Sequence, residues 1–285
     1  MKPAAFDYYR PREVDEALAL LAEHGGDGRL LAGGQSLVPA MNFRLARPAV
    51  LVDINALEEL SGVRTARGRI AIGALTRHVV FERPVADGPL GRLLPEIAHH
   101  IAHLPIRVRG TFGGSIAHAD PAAEWCTLAV ALDAEIVLRS VAATRTVAAG
   151  DFFKTIFTTE IREGEMVIEI RLPILDEAWH WGFVEFSRRA GDFAIVSAIT
   201  GLRIEDGSIR EARIALGGVV DRPVRATAAE QTLVGEAPGG AVFRAAADAA
   251  GRSFEPFGDI HATPEYKSDL IVVMTRRALE RALAA

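Results

Sequence analysis

The sequence predicts a mixed α+β chain in two parts, and three observations predict it. Apolar residues recur at helical and strand spacing in interleaved short elements as far as about Pro173. Beyond a join near residues 174–180 the texture changes to long β-rich runs, "WGFVEFSRR" and "FAIVSAITGLRIEDGSIREARIALGGV", which turn at the hairpin signal Asp206-Gly207. Three helix-like segments then follow to residue 285.

Taken in order, "EVDEALALLAEH" places Val14, Ala17, Leu18 and Leu21 on one face of a helix that stops at Gly25-Gly26. "RLLA", "AVLVDI", "RIAIGA", "AEIVLR" and "MVIEIRLP" read as strands, because they are short, apolar and rich in β-branched residues. "LLPEIAHHIAH" and "EWCTLAVALDA" read as the helices between them, and "GEAPGGA" as a loop. There is no internal repeat and no low-complexity segment.

A chain of 285 residues can bury a substantial core, removing roughly three quarters of its unfolded surface from water. Its 32 basic and 37 acidic residues leave a formal charge of −5, which favours neither nucleic acid nor an acidic membrane as partner. The N-terminal sequence turns charged within a few residues, and no later apolar run approaches a transmembrane length, so a cytoplasmic protein is expected. The lone Cys126, inside an apolar helical stretch, reads as a buried inert thiol. One thiol makes neither an internal disulfide nor a thiolate metal or iron–sulfur site, so cluster chemistry would have to lie in another chain.

The stretch "LLAGGQSLVPAM" at residues 30–41 raises a chemical question. It lacks the second glycine of a nucleophile elbow and the lysine of a phosphate loop, and its glycines do not follow the dinucleotide fingerprint. Two readings stay open: a tight turn, or a bare backbone whose N–H groups approach an anion. A second glycine-rich stretch, "IRVRGTFGGSIAHADPAAEW", carries Arg107 and Arg109 before its glycines and Asp120 and Glu124 after them. Two bare loops suit the two ends of one pyrophosphate, and carboxylates beyond them suit sugar or ribityl hydroxyls.

"AGGQSL", "RGTFGGSIAHADPAAE", "RRAGDFAIVSA", "ALGGVVDRPVRA" and "YKSDLIVVMTRRALERA", in this order, resemble the FAD-binding medium subunit of the molybdenum hydroxylases, the carbon monoxide dehydrogenase and xanthine dehydrogenase group. The resemblance covers nearly the whole chain. It implies a FAD-binding domain of the vanillyl-alcohol-oxidase (PCMH) type over residues 1–175, in two α/β subdomains of about 1–57 and 58–175. A smaller C-terminal domain of antiparallel strands and helices would then fill 176–285. Carried over position by position, Ala32, Gly33, Gly34, Gln35 and Ser36 match the first pyrophosphate loop, and Thr111, Phe112, Gly113, Gly114 and Ser115 the second, where asparagine is commoner than Ser115. Glu124 stands where the family usually has aspartate near the ribityl chain, with Asp120 just before it. Asp192 and Phe193 match a pair beside the isoalloxazine, and Val167 an apolar position against the ring system.

His118, inside the second stretch, has two readings of equal standing: approach to flavin or phosphate, or a bond that holds the loop. His99, His100 and His103 include an i, i+4 pair but no third metal ligand, so they read as a surface helix, and no metal site is expected. The basic "TRRALERAL" segment reads first as a solvated helix face. The resemblance implies an oxidoreductase subunit with no catalytic residue of its own, whose FAD takes electrons from the 2Fe–2S clusters of a small subunit. A large subunit with a molybdenum–pterin cofactor would oxidise the substrate, in a heterotrimer or dimer of heterotrimers. Carbon monoxide, a purine, an aldehyde or an N-heterocycle all suit as substrate, and the acceptor is open. The alternatives are a self-sufficient flavin oxidoreductase and a scaffold subunit without flavin.

Overall fold

The computed structural model describes residues 2–284. The first part runs β1 (Asp7–Tyr9), α1 (Val14–His24), β2 (Gly28–Leu31), α2 (Leu37–Asn42) and β3 (Val50–Asp53). Its strands form a parallel sheet in the order β1-β3-β2, with Tyr8 opposite Leu51 and Leu30 opposite Val52. Parallel strands are covered on both faces, which is why consecutive Val50, Leu51 and Val52 are all buried. Helix α1 supplies one cover through Val14, Ala17 and Leu18, and its early Asp15 and Glu16 and late His24 match the helix dipole.

The second part comprises β4 (Val63–Ala66), β5 (Arg69–Gly73), α3 (Gly88–His100), α4 (Leu104–Arg107), α5 (Phe112–His118), α6 (Glu124–Ala131), β6 (Glu135–Arg139), β7 (Thr144–Ala148), α7 (Ala149–Phe152), β8 (Phe153–Thr155), β9 (Thr158–Thr159) and β10 (Met166–Pro173). Five of these strands form an antiparallel sheet in the order β4-β5-β10-β6-β7. Helices α3, α5 and α6 share its main core. There the Trp125 ring stacks on Phe112 at 4.7 Å, and Phe81 lies 5.3 Å from both rings.

The third part contains β11 (Trp179–Phe186), β12 (Val196–Glu205), β13 (Ser208–Gly217), β14 (Val224–Arg225), α8 (Thr227–Gln231), α9 (Gly240–Arg252) and α10 (Pro264–Ala284). Its strands form one antiparallel meander in sequence order, turning between β12 and β13 at Asp206-Gly207, both at positive φ. Helix α10 packs on β11 and β12 from one side, while α3 and α6 of the second part reach β11, β12 and β13. The contact with α10 is backbone against backbone. A Cβ on Gly182 would lie 2.2 Å from the carbonyl oxygen of Ala278 and 2.6 Å from the nitrogen of Ala282. Among the described residues no helix is long and apolar enough to cross a membrane.

Two elements differ from the sequence reading. The helix expected over "LLPEIAHHIAH" starts earlier, at Gly88 with Pro89 in its first turn, and ends at His100. Ala102 at φ 44° breaks the path, so His103 flanks α4 and does not share a helix face with His99. The second glycine-rich stretch is mostly helix: Thr111 caps α5 by accepting a hydrogen bond at Oγ1 from the Gly114 nitrogen at 3.0 Å. Two glycines near a helix start conceal its propensity.

The Gly182 contact makes a prediction. Gly182→Val inserts a branched side chain against the α10 backbone and should destabilise the fold by about 1–3 kcal/mol. A thermal melt of the variant unchanged from that of the parent chain would contradict the packing.

Candidate functional site

Both β2 and β3 end at the same edge of the parallel sheet, the edge where open α/β sheets collect ligands. Residues Ala32–Ser36 follow β2, and Asp53 and Asn55 close β3. Ala32–Gln35, Asp53 and Asn55 line a cleft of about 660 Å³, together with Tyr8, Arg77 and Arg109. In the first loop the carbonyls are engaged: Ala32 accepts from Asn55 Nδ2 at 2.8 Å, Gly33 from Gln35 Nε2 at 2.8 Å, and Gly34 from the Val38 nitrogen at 3.0 Å. Among the described residues, no protein acceptor receives the N–H groups of Gly33, Gly34, Gln35 and Ser36. Gly34 sits at φ +73°, the left-handed turn that lets successive N–H groups converge.

The loop is held from below. Gly33 meets the second part directly: a Cβ there would lie 2.5 Å from the Arg109 carbonyl oxygen and 2.7 Å from the Gly110 Cα. Beside this contact Asn55 receives Arg77 Nη2 at 2.6 Å, and Arg77 Nη1 donates to the Arg109 carbonyl. Tyr8 donates to Asp53 Oδ2 at 2.5 Å, and Asn55 Nδ2 donates to Asp53 Oδ1 at 2.6 Å. Burial alone would raise the Asp53 carboxyl, but the bonds from Tyr8 and Asn55 outweigh it and hold Asp53 below the usual range. The Arg77 guanidinium is lowered by burial and by the neighbouring Arg109.

The second stretch behaves differently. The N–H of Phe112 donates to Thr76, that of Gly113 to Ala74, that of Gly114 to Thr111 Oγ1, and that of Ser115 to the Thr111 carbonyl. Four amides expected to face an anion are therefore occupied by the protein itself. Gly113 is small because β5 lies against it, with Ala74 atoms 2.5–2.7 Å from a hypothetical Cβ. Phe112 is fully buried in the aromatic core. Among the described residues, the donors of this stretch without a protein acceptor include the Thr111 N–H and hydroxyl hydrogen, the half-buried Ser115 hydroxyl and the Arg109 guanidinium.

His78 lies beneath this stretch. A Cβ on Gly110 would meet its ring at 2.6 Å, and its Nδ1 accepts from Trp125 Nε1 at 3.0 Å, so the ring proton sits on Nε2. Burial, with Arg77 and Arg107 nearby, drops its pKa from 6.5 to about 4, and the imidazole is neutral.

Farther along, Glu124 opens α6 and is buried. Burial first, and then Glu185, push its carboxyl up to about 8. Half-buried Asp120 accepts from the Ala122 nitrogen at 2.9 Å. His118 stacks on Phe157 with centroids 4.7 Å apart, and burial lowers its pKa. Asp192 and Phe193 are exposed on the turn between β11 and β12, Phe193 at 64 %. Val167 is 5 % exposed in the main core, because β10 bulges between Val167 and Glu169. It presents almost no side-chain surface to a ligand. Cys126 is buried, donates to the Ser115 carbonyl at 3.3 Å, and its thiol is pushed well up by burial. His99 bonds to the Pro95 carbonyl at 2.6 Å, whereas His100 points toward Glu185.

Sequence reasoning brought out both glycine stretches but not Tyr8, Asp53, Asn55, Arg77 or His78. One signal was available: "DIN" follows an apolar strand immediately, and polar residues at the carboxyl end of a parallel strand point to a ligand edge.

Comparison with known proteins gives a consistent picture. The family described as the FAD binding domain in molybdopterin dehydrogenase matches residues 4–175, and the CO dehydrogenase flavoprotein C-terminal domain matches 181–282. The chain is 39% identical to the 6-hydroxypseudooxynicotine dehydrogenase complex subunit alpha of Paenarthrobacter nicotinovorans, over 99% of this chain and 96% of that protein. It is 37% identical to the caffeine dehydrogenase subunit beta of Pseudomonas sp. (strain CBB1), again over 99% and 96%. Among solved structures, carbon monoxide dehydrogenase from Hydrogenophaga pseudoflava lacking the Mo-pyranopterin moiety superposes with a TM-score of 0.96 at 39% identity, over 100% of this chain and 99% of that one.

Neutral His78 makes the site acid-sensitive. Its folded pKa of about 4 lies below the ordinary 6.5, so stability is intact above pH 6.5 and falls as the pH drops from there toward 4. The loss attributable to this residue is about 3 kcal/mol. Urea melts at pH 7 and pH 4.5 should show a smaller acid loss in His78→Gln than in the parent; equal losses would contradict the assignment.

Proposed function

The chain belongs to the FAD-binding medium subunits of the molybdopterin dehydrogenases, and on that premise we propose that it is the flavin-holding, electron-transferring part of a molybdenum hydroxylase complex. Its partners are a small subunit with 2Fe–2S clusters and a large subunit with the molybdenum–pterin cofactor, and the cytoplasm is its compartment. When bound, FAD supplies the redox chemistry, collecting electrons from the clusters for an external acceptor. The observation that carries the reading is the loop after β2, with four unengaged N–H groups over a cleft and a glycine that tolerates no side chain.

Within this reading the fold is a two-subdomain flavin domain of the vanillyl-alcohol-oxidase type over 1–175, split near residue 57, with a C-terminal domain over 176–285. Ala32–Ser36 take the pyrophosphate through their N–H groups. The hydroxyls of Thr111 and Ser115 contribute from the opposite wall, with Phe112, Gly113 and Gly114 fixing that wall in place. Glu124 and Asp120 face the ribityl hydroxyls, and a protonated Glu124 can donate as well as accept there. His118, already stacked on Phe157, closes the side of the cleft. Exposed Phe193, with Asp192 beside it, offers a ring to pack on the isoalloxazine, and Val167 backs that region from the core. These residues bind, orient and exclude water; none is assigned to bond breaking.

Two outcomes follow for the full chain. Gly33→Ala forces the loop off Arg109 and should weaken FAD retention by roughly tenfold or more, seen as loss of flavin absorbance after gel filtration. Parent chain that never retains FAD would instead favour the scaffold alternative. Anaerobically, dithionite should bleach the flavin band of the isolated chain, while aldehydes, purines and carbon monoxide should not until the partner subunits are added. Rapid bleaching by any of these substrates without partners would establish a self-sufficient oxidoreductase.

A further inference from the structure

A niche walled by oxygen atoms lies where α6 meets the third part. Three strands build its floor: Glu185 of β11 stands opposite Ser197 of β12, and Ser197 stands opposite Gly217 of β13. Opposite residues of an antiparallel pair share a face, with Cβ atoms about 4.5–5.5 Å apart. The missing Cβ of Gly217 marks the niche itself. A Cβ there would come 2.3 Å from Thr127 Oγ1 of α6, 2.6 Å from Ser197 Oγ and 3.3 Å from the Pro121 carbonyl oxygen, so its three nearest neighbours from other segments are all oxygens. Ser197 and Thr127 are fully buried, and among the described residues Ser197 Oγ has no hydrogen-bond partner. Thr127 Oγ1 gives its proton to the Ala123 carbonyl at 3.3 Å, and the Pro121 carbonyl accepts from the Gly218 nitrogen at 2.8 Å, so each keeps a lone pair to offer. Beside Ser197 the Glu185 side chain is 2 % exposed, and its Oε2 is likewise without a partner among the described residues. On its outer side His100 Nδ1 stands 3.9 Å from Oε1, beyond hydrogen-bond reach.

We infer that Glu185, Ser197, Thr127 and the Pro121 carbonyl bind one monovalent metal cation, sodium or potassium, at the seam between α6 and the third part. An enclosed carboxylate oxygen needs a positive partner or a donor, and a cation beside Ser197 supplies the charge. The donor set is a carboxylate, two hydroxyls and a carbonyl, all hard oxygens, which suits a hard cation with water completing its shell. One carboxylate balances one positive charge. A divalent ion in the same niche would keep an uncompensated charge in a buried place, which is strongly unfavourable. The lack of histidine and cysteine ligand sets, which led to the expectation of no metal site, does not bear on oxygens gathered from four separate segments. The bound ion touches α6 through Thr127, the entry to that helix through Pro121, and the antiparallel meander through Ser197 and Glu185. It therefore ties the second part to the third at the point where the Gly218 nitrogen already holds Pro121. Flavin plays no part in this binding.

The test uses the full chain. Its Tm should be about 2–4 °C higher in sodium or potassium chloride than in choline chloride, because an ion held only by the folded state stabilises that state. The salts are compared at equal ionic strength, so that general screening affects every melt alike. The gap between salts should vanish in Ser197→Ala, which removes one oxygen, and in Glu185→Gln, which removes the charge. Sodium NMR of the parent should show excess line width that added potassium releases, and folded Ser197→Ala should show none. Equal melts in the three salts mean that the niche holds water alone and overturn the inference. A gap kept in full by both variants places the ion elsewhere and overturns it as well. Calcium chloride that raises the Tm where sodium and potassium do not overturns the monovalent assignment. If Glu185→Gln fails to fold, the melts and line widths of Ser197→Ala decide the matter.

Discussion

Everything around the cleft depends on one contact in which side chains have no place: the backbone of Gly33 against the backbone of Arg109 and Gly110. Two sheets of different construction, one parallel and one antiparallel, meet there through loops. Their approach is set by the absence of a Cβ and by the Asn55–Arg77–Arg109 hydrogen bonds beside it. Asn55 of this clasp takes the Ala32 carbonyl, Gln35 and Val38 take those of Gly33 and Gly34, and the N–H groups of Gly33 to Ser36 are left without a protein acceptor among the described residues. The same residues that join the two parts thus create the donor surface. Join and site are one piece of structure.

Deeper in, the protein handles titratable groups by keeping them neutral. His78 is held unprotonated beneath Gly110, and the Glu124 carboxyl is held protonated well above its ordinary range, in both cases chiefly by burial. At the cleft Arg77 is held by two neutral acceptors, Asn55 and the Arg109 carbonyl, and the nearby Asp53 carboxylate favours its charged form.

Much of the fold was legible from periodicity. Val14, Ala17, Leu18 and Leu21 mark α1, and β10 spans the "MVIEIRLP" run. Helix α5 was hidden, since Gly113 and Gly114 near its start are present for close packing on β5 and for the Thr111 cap, and they mimic an open loop. The glycine stretches stood out in the sequence, yet what each glycine touches did not. Gly33 and Arg109 are distant in sequence, and no local pattern records a contact between them. The same holds for Asn55 with Arg77. The burial of Val167 was not legible either, because a β-bulge changes which strand residues face inward.

Strand β10 occupies the centre of the five-stranded sheet, yet it is the last of those five strands in the chain. Ile170 pairs with Ile72 on one side and with Ile136 on the other. During synthesis at about 5–20 residues per second, the β4-β5 and β6-β7 hairpins therefore wait several seconds with bare inner edges for the strand that joins them. Until then α3, α5 and α6 have only half a sheet to cover, and the aromatic cluster around Trp125 lies over an open seam. Unpaired edges of this kind invite pairing with other chains. The arrival of β10 is thus the step that commits this half of the molecule, and sequence upstream of residue 166 is exposed to aggregation in any truncated product.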